Sequence, residues 1–307
     1  MNFNHLSVMA DEVTKNLVTN RNGIYVDCTL GGGGHSLLIA ENLDDGLIVG
    51  IDQDQAAIES SKIRLEKISC KKIFVQDNFS HLEKILSDRE IDFADGFLFD
   101  LGVSSYQIDT AERGFSYIHN APLDMRMNQS QKFSARDVVN NYDEENLYKI
   151  FHEYGEEKFS NRIAKTIINA RKIKSIETTG ELVKIIESVV PFNKKSGHPA
   201  KRIFQAIRIE VNNELNILQS SIETAVNHLK SGGRIAIITF HSLEDRIVKN
   251  TFKIMASDCI CPKDLPICVC NHKAQIKILS KAVTATEEEL KKNSRAKSAK
   301  LRIAEKI

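Results

Sequence analysis

Four consecutive glycines follow a short run of strand-forming residues near the start of this chain. The run 25–29 reads Tyr-Val-Asp-Cys-Thr, glycines occupy 31–34, and an apolar, helix-like segment follows His35. A glycine turn between a strand and a helix lets a ligand approach main-chain N–H groups closely. The pattern predicts a site for a nucleotide-like ligand, and a merely flexible glycine loop is the alternative.

An apolar run followed by an acid recurs three more times downstream. The runs at 47–52, 72–79 and 95–102 each resemble a strand, and helix-like segments separate them. Alternating strands and helices predict an α/β fold with a parallel sheet that is covered on both faces. Ligands of such sheets bind at the carboxyl ends of the strands. Four acids are expected there: Asp27, Asp52, Asp77 and Asp100.

Capping residues predict where two of the helices begin. Asp54 precedes a helix-like segment at 54–68 and is a suitable N-cap. Ser80 and Glu83 have the spacing of a capping box before Ile85.

The glycine spacing distinguishes between two kinds of cofactor. A dinucleotide site prefers G-x-G-x-x-G, but the third glycine would fall at Ser36 or Leu37. S-adenosylmethionine has no phosphate; it offers a ribose diol, an adenine and a charged amino acid moiety. Asp52 is placed to accept the ribose hydroxyls and residues 77–79 to hold the adenine, and carboxylates suit a sulfonium better than a pyrophosphate. We therefore expect S-adenosylmethionine as the cofactor.

Nine short runs together resemble one known family. They are TLGGGGHS at 29–36, DLGVSS at 100–105, ERGFSY at 112–117, PLDMRM at 122–127, YGEE at 154–157, FQAIRIEVNNEL at 204–215, GGR at 232–234, FHSLEDR at 240–246 and RAKSAKLR at 295–302. From His5 to the C-terminus the chain resembles the RsmH (MraW) family. The departures are at loop positions: Tyr106, Asn120, Ala121, Ser231 and Ser294.

The resemblance implies a fold, an activity and a partner. It implies a Rossmann-like class I methyltransferase sheet with an inserted helical substrate-recognition domain. The implied activity is S-adenosylmethionine-dependent methylation of N4 of a cytosine in the decoding centre of 16S ribosomal RNA. The partner would be this RNA in the small ribosomal subunit, and homodimer formation is left open. The implied cofactor-binding positions are Gly33, Gly34, His35, Asp52, Phe79, Asp100 and Gln107.

Asp100 is also the candidate catalytic residue. A carboxylate that accepts one N–H of the amine, with the carbonyl of Leu101 accepting the other, would turn the nitrogen lone pair towards the methyl group. The alternative is that Asp100 only caps the end of its strand. Methyl transfer requires neither a covalent enzyme intermediate nor a metal, and we expect no metal in the site.

The predicted methyltransferase domain is interrupted by an insertion. After the strand that ends near Leu101, the next buried-type strand is expected at 234–240. We therefore predict a first methyltransferase part at 1–106, an inserted helical domain at 107–212 and a second part at 213–307. Closing strands are expected at 275–281 and 298–304, with the last one antiparallel.

Charge is distributed unevenly along the chain. The net charge is only +1, so contact with RNA must depend on local clusters. Residues 158–208 hold 12 Lys and Arg against 3 Asp and Glu. A second group could stack on or pair with a displaced base: Arg113, Phe115, Tyr117, Met125 and Arg126. The alternative for Phe115, Tyr117 and Met125 is that they form the core of the insertion. A third group follows the fifth strand without a firm role, although Arg246 could bind a phosphate: His241, Glu244, Asp245 and Arg246.

Four of the six cysteines form two C-x-C pairs, Cys259 with Cys261 and Cys268 with Cys270, and His272 lies nearby. Zinc sites more often use C-x2-C spacing, so reduced loop cysteines are expected and metal binding is the alternative. No membrane span or signal peptide is apparent, which predicts a cytoplasmic protein without a membrane partner.

Two other function classes, and one other kind of methyltransferase, are alternatives to an RNA methyltransferase. A nicotinamide-dependent oxidoreductase is opposed by the missing third glycine. A non-catalytic RNA-binding assembly factor would be expected to lack acids at the strand ends, and all four are present. A DNA amino-methyltransferase is opposed by Leu101, Gly102 and Val103, which stand where a Pro-Pro-aromatic motif is expected.

Overall fold

A computed structural model describes residues 7–191, 197–262, 265 and 267–307. The described residues divide into two compact units. The first comprises those of Met1–Gly102 and Leu215–Ile307, and the second those of Val103–Glu214. No helix in these described ranges is both long enough and apolar enough to cross a bilayer.

The first unit alternates strands and helices before and after the second unit. Before the second unit its elements are α1 (Ala10–Leu17), β1 (Ile24–Asp27), α2 (Gly34–Glu41), β2 (Leu47–Asp52), α3 (Gln55–Arg64), β3 (Lys71–Gln76), α4 (Leu82–Ser87) and β4 (Ala94–Asp100). After the second unit, whose helices are numbered five to ten, they are α11 (Leu218–Asn227), β5 (Leu229–Thr239), α12 (Ser242–Met255), β6 (Ile276–Ile278), β7 (Val283–Thr284), α13 (Glu287–Lys292) and β8 (Lys300–Lys306).

One sheet runs through the described part of this unit. Its order is β3-β2-β1-β4-β5-β8-β6, and β7 also pairs with β8. The strands β1 to β5 are parallel to their neighbours, whereas β8 is antiparallel to β5, β6 and β7. The chain moves outward from β1 in one direction through β2 and β3 and in the other through β4 and β5. Such a switch point is where open α/β sheets bind ligands, so the predicted α/β sheet and its antiparallel last strand are confirmed.

Two apolar clusters cover the faces of the sheet. Along β4, Phe97 and Phe99 point to one face and Leu98 to the other, because side chains alternate along a strand. The first face packs against α4, α11 and α12, and the second against α1 and α2. Burial on both faces explains why the central strands β1, β2 and β4 are almost uniformly apolar up to their final acids.

The second unit is helical and has its own core. Its helices are α5 (Ser105–Asp109), α6 (Ala135–Asn141), α7 (Glu144–Glu153), α8 (Ser160–Ile173), α9 (Thr179–Glu187) and α10 (Ala200–Asn212). Residues from α6 to α10 form one apolar cluster together with Leu123 and Met125. The buried amide of Asn212 donates to the carbonyl of Met125 and accepts from the N–H of Met127, each at 2.8 Å, and so ties the loop before α6 to the end of α10.

Two predictions of local structure have different outcomes. Asp54 caps α3 as predicted, since its side chain accepts the N–H of Ala56. The capping box of Ser80 and Glu83 is wrong: Asn78 accepts the N–H of Ser80 and begins a short 3-10 turn ahead of α4.

Candidate active site

The glycine turn joins β1 to α2. Gly33 has a φ of +71°, which side chains with a Cβ rarely adopt, and a Cβ there would lie 2.7 Å from Oγ of Ser61. A Cβ on Gly34 would collide with the hydroxyl of Ser7. Both positions therefore require glycine for steric reasons. Without side chains there, a ligand can approach the main chain of the turn.

Asp27 stabilises this turn from the end of β1. It is buried, and its two oxygens accept the Ser36 hydroxyl at 2.6 Å and the Thr29 N–H at 3.2 Å. Burial raises its pKa, although the Ser36 hydrogen bond opposes the change. The Thr29 hydroxyl in turn accepts the N–H of Asp100 at 2.5 Å. Asp27 is only 3% exposed, so it fixes the strand ends from within the fold and is not presented to a ligand.

Asp52 lies at the end of β2, beside the turn. Its Oδ2 accepts the N–H of Gly31 and its Oδ1 accepts the N–H of Asp54, both at 2.8 Å. Burial raises the pKa of Asp52 to about 7, against the effect of these two hydrogen bonds. Each carboxylate oxygen can accept a second hydrogen bond, so the fixed Asp52 carboxylate remains competent to bind a diol.

The loop after β3 offers an aromatic face beside polar groups. The ring of Phe79 packs edge-to-face on Phe99 with centroids 5.5 Å apart and is partly buried. Asp77 accepts the N–H of Asn78 and lies 2.7 Å from Nδ1 of His81. The Asn78 amide donates to Gln53 at 3.1 Å. This loop has the shape and the polar groups to hold a flat heterocycle.

His35 and Asp100 form a buried polar pair between the first turn of α2 and the end of β4. His35 Nε2 lies 3.5 Å from Asp100 Oδ2, and the two side chains are 6% and 26% exposed. Burial lowers the pKa of His35, but Asp100 and Asp27 outweigh that effect, so the pKa rises overall. Three buried atoms of this pair are among those without a hydrogen-bond partner in the described structure: His35 Nδ1, His35 Nε2 and Asp100 Oδ1.

Gln107, the seventh predicted cofactor residue, belongs to the second unit. It is buried in α5, where its Oε1 accepts the N–H of Ser104 at 3.0 Å and its own N–H donates to the Ser104 hydroxyl. Its local role in that unit is to complete a capping box.

The residues proposed to stack on a displaced base lie mainly in the core of the second unit. Met125 is fully buried, and Phe115 and Tyr117 pack against the same cluster. Arg113 is 4% exposed and donates to the carbonyls of Arg126 and Met127 at 2.9 and 3.0 Å. The structure therefore favours the core alternative for this group, and Arg113 serves as an internal clamp.

The group after β5 is also structural. His241 and Glu244 form the capping box of α12, and Glu244 accepts the N–H of Phe240 at 2.8 Å. Asp245 pairs with Arg302 at 2.7 Å and Lys300 at 3.0 Å, which ties α12 to β8. Arg246 is exposed, and its suggested contact with a phosphate stays a prediction.

A basic stripe on α8 is a feature that the count of charges did not locate. Lys158, Arg162, Lys165 and Lys172 are exposed. The last three lie on α8, where their spacing of three and seven residues places them on one helix face, and Lys158 lies two residues before the helix begins. None has an acidic partner within ion-pair distance among the described residues. Two other lysines of the predicted basic region, Lys194 and Lys195, lie outside the described residues.

These features fit S-adenosylmethionine. Bare backbone at Gly33 and Gly34, a fixed acceptor at Asp52 and an aromatic face at Phe79 would hold its amino acid, ribose and adenine parts. The unpartnered polar atoms of His35 and Asp100 are a further sign of a ligand site, because buried polar groups are rarely left unsatisfied. Open sheet, glycine turn and strand-end acids define the chain as a class I methyltransferase that uses S-adenosylmethionine.

Comparison with known proteins specifies the family. The model of the MraW methylase family matches residues 2–307, and the chain belongs to that family. It is 54% identical over 310 residues to "Ribosomal RNA small subunit methyltransferase H" of Clostridium botulinum (strain Loch Maree / Type A3), with 100% of both chains covered. It is 52% identical over 311 residues to the protein of the same name from Clostridioides difficile (strain 630), again with 100% of both chains covered. The predicted family is confirmed.

Proposed function

We propose that the chain methylates N4 of a cytosine in the decoding centre of 16S ribosomal RNA, with S-adenosylmethionine as the methyl donor. The similarity to small-subunit ribosomal RNA methyltransferases supports the substrate class. The observation that carries the chemistry is the unpartnered Asp100 Oδ1, held beside His35 at the end of β4.

An exocyclic amine presents two chemical difficulties. Its lone pair is delocalised into the ring, and it must shed one proton once its nitrogen is alkylated. When bound, S-adenosylmethionine supplies an electrophilic methyl group. The protein must therefore align the amine and accept its N–H groups, and alignment alone can contribute roughly 7–11 kcal/mol.

Asp100 supplies a hydrogen-bond acceptor for the amine. Its main-chain N–H is fixed by Thr29, and its Oδ2 lies against His35, so Oδ1 is left to accept one amine N–H. The main-chain carbonyl of Leu101 would accept the second N–H. Burial lowers the pKa of His35, but the neighbouring Asp100 and Asp27 carboxylates raise it overall, which favours a protonated ring beside Asp100. In this proposal Asp52 holds the ribose and Phe79 the adenine, and Gln107 stays a predicted cofactor-binding residue.

Binding of RNA is assigned to the basic stripe on α8. Its exposed cations offer contacts to backbone phosphates, which supply affinity without sequence information. The target base must be unstacked to reach the cofactor.

Since the substrate is part of a ribosomal subunit, we expect the protein to act in the cytoplasm. Homodimer formation stays a prediction for analytical ultracentrifugation.

Labelled S-adenosylmethionine and small subunits that lack the modification test the function. After incubation, the RNA is digested, and its nucleosides are separated and identified by mass spectrometry. We expect one labelled product, N4-methylcytidine, from the wild type and almost none from Asp100→Ala. Label on a different nucleoside would contradict the assigned target. Absence of label from RNA, despite cofactor binding by calorimetry, would contradict the RNA substrate itself.

A further inference from the structure

Four thiols meet in the loop between α12 and β6. The Sγ atoms of Cys259, Cys261, Cys268 and Cys270 all lie within 4.8 Å of one another, the sole such group of potential metal ligands found among the described residues. Cys268 Sγ is 3.6 Å from Cys270 Sγ, which is 3.8 Å from Cys259 Sγ.

These separations match a tetrahedral thiolate site. Zn–S bonds of about 2.3 Å place the corners of a tetrahedron about 3.8 Å apart. Disulfides would require sulfur pairs at about 2.05 Å, and all four cysteines are free. The sulfur spacing is thus that of a single shared ion.

The loop has no apolar core to hold the thiols together. None of its described residues between 257 and 275 is buried, and three apolar side chains point to solvent: Ile260 at 52%, Ile267 at 74% and Val269 at 71% exposed. Its ends are fixed, because the N–H of Gln275 donates to the Met255 carbonyl at 2.7 Å. Segments that cannot bury a core are commonly held by disulfides or by a metal.

The backbone around the sulfurs suits thiolates. The N–H of Ile260 points at Cys270 Sγ and that of Cys261 at Cys259 Sγ, both at 3.4 Å, and the N–H of Val269 points at Cys261 Sγ at 3.5 Å. Such donors stabilise negative sulfur.

We propose that Cys259, Cys261, Cys268 and Cys270 bind one zinc ion in a closed structural site. Binding converts four thiols to four thiolates and releases four protons to solvent, with no change of oxidation state. Four protein ligands leave no open position for substrate or water, so the ion has a folding role and not a catalytic one. His272 is not needed as a ligand, because its Nε2 lies 2.9 Å from the Ile254 carbonyl and is engaged there.

Metal analysis of the full-length protein tests the proposal. Purified under reducing conditions, the wild type should carry one zinc per chain by mass spectrometry. Cobalt(II) exchanged into the site should show the visible bands of tetrahedral thiolate coordination. Cys261→Ser and Cys268→Ser should each lose most of the zinc, whereas Cys70→Ala, which removes a buried thiol in the first unit's core, should keep all of it.

A second measurement covers variants that fail to fold. An organomercurial added to the wild type should release one zinc per chain, detected with a chromogenic chelator. The proposal is overturned if the wild type neither contains zinc nor binds added zinc or cobalt, if it carries iron instead, or if mass analysis finds the loop cysteines as disulfides. None of these readouts depends on methyl transfer.

Discussion

His35 Nε2 and Asp100 Oδ2 lie 3.5 Å apart, and both ring nitrogens of His35 and the other carboxylate oxygen, Asp100 Oδ1, have no hydrogen-bond partner in the described structure. A buried polar atom without a partner costs about 1–3 kcal/mol. The pair is therefore kept at a cost in stability, which a ligand that bonds to these atoms would relieve.

Removing the Asp100 carboxylate should abolish turnover. We expect Asp100→Asn to retain some activity, because its amide can turn its carbonyl towards the substrate, and Asp100→Ala to retain almost none. The loss should fall mainly on kcat if the contact strengthens in the transition state. Single-turnover methylation at saturating cofactor measures it, with the exposed Asp92→Ala as the matched control. Wild-type turnover by the alanine variant would remove Asp100 from the chemistry.

Cofactor affinity should depend on pH through Asp52. Its pKa of about 7 means that the ionised acceptor is depleted below neutral pH. Affinity should then fall by about tenfold per pH unit below 7. Asp52→Asn should bind weakly at every pH and flatten this dependence. Calorimetric titrations between about pH 6 and about pH 8, one unit either side of the pKa, are the measurement.

The same Asp52 makes an opposite prediction for stability. The folded protein holds this proton to a higher pH than the unfolded chain, whose carboxyl titrates near 3.8. The free energy of unfolding of the cofactor-free protein should therefore fall as pH rises from 3.8 towards about 7, and Asp52→Asn should lack that component. Denaturant titrations of both proteins at matched pH check this, and parallel pH profiles would contradict the shifted pKa.

Reversing the basic stripe on α8 should weaken binding of the small subunit. We expect a variant with glutamate at Lys158, Arg162 and Lys165 to bind more weakly, with a salt dependence reduced by about 0.7 in log-log slope per lost phosphate contact. Reversal of Lys84 and Lys249, two exposed lysines of the first unit, is the control. Equal losses in the two variants would indicate a general charge effect instead of a surface on α8.

Arg113 should act on stability. Arg113→Ala leaves the carbonyls of Arg126 and Met127 without this donor, at about 1–3 kcal/mol each. The exposed Arg162→Ala should change stability by no more than about 0.5 kcal/mol. Thermal unfolding compares the two. If Arg113→Ala kept wild-type stability and instead lost RNA affinity, the role in base stacking would be restored.

The sheet could be predicted because its strands are buried on both faces. A run such as Leu47–Asp52 therefore contains no polar residue before its last position, so it reads as a continuous buried strand. The acid at its end marks the carboxyl edge of the sheet. The cap on α3 was equally local, since Asp54 acts on an N–H two residues away. The Ser80 cap failed because Asn78 accepts the N–H of Ser80 and begins a 3-10 turn, which places Ser80 inside that turn and not at the start of α4.

Positions determined by distant partners could not be read from the sequence. By residue type alone Arg113 is expected to be a surface cation, but in the structure it donates to the main-chain carbonyls of Arg126 and Met127. Asp27 resembles a ligand-binding acid until the Ser36 hydroxyl occupies it. The α8 stripe could have been found from helical phase, because Lys158, Arg162 and Lys165 follow a four-three spacing, whereas a count of charges over fifty residues hides it.

The position of β8 has a consequence for how the protein is made. Strands β5, β6 and β7 all use β8 as their antiparallel partner, and all three precede it in the chain. Until β8 is synthesised, their edges have no partner, and the apolar residues of β5 lack the cover of Leu301 and Ile303. Exposed strand edges invite pairing with other chains. The growing polypeptide is thus most vulnerable to aggregation in the interval between the synthesis of β5 and that of β8.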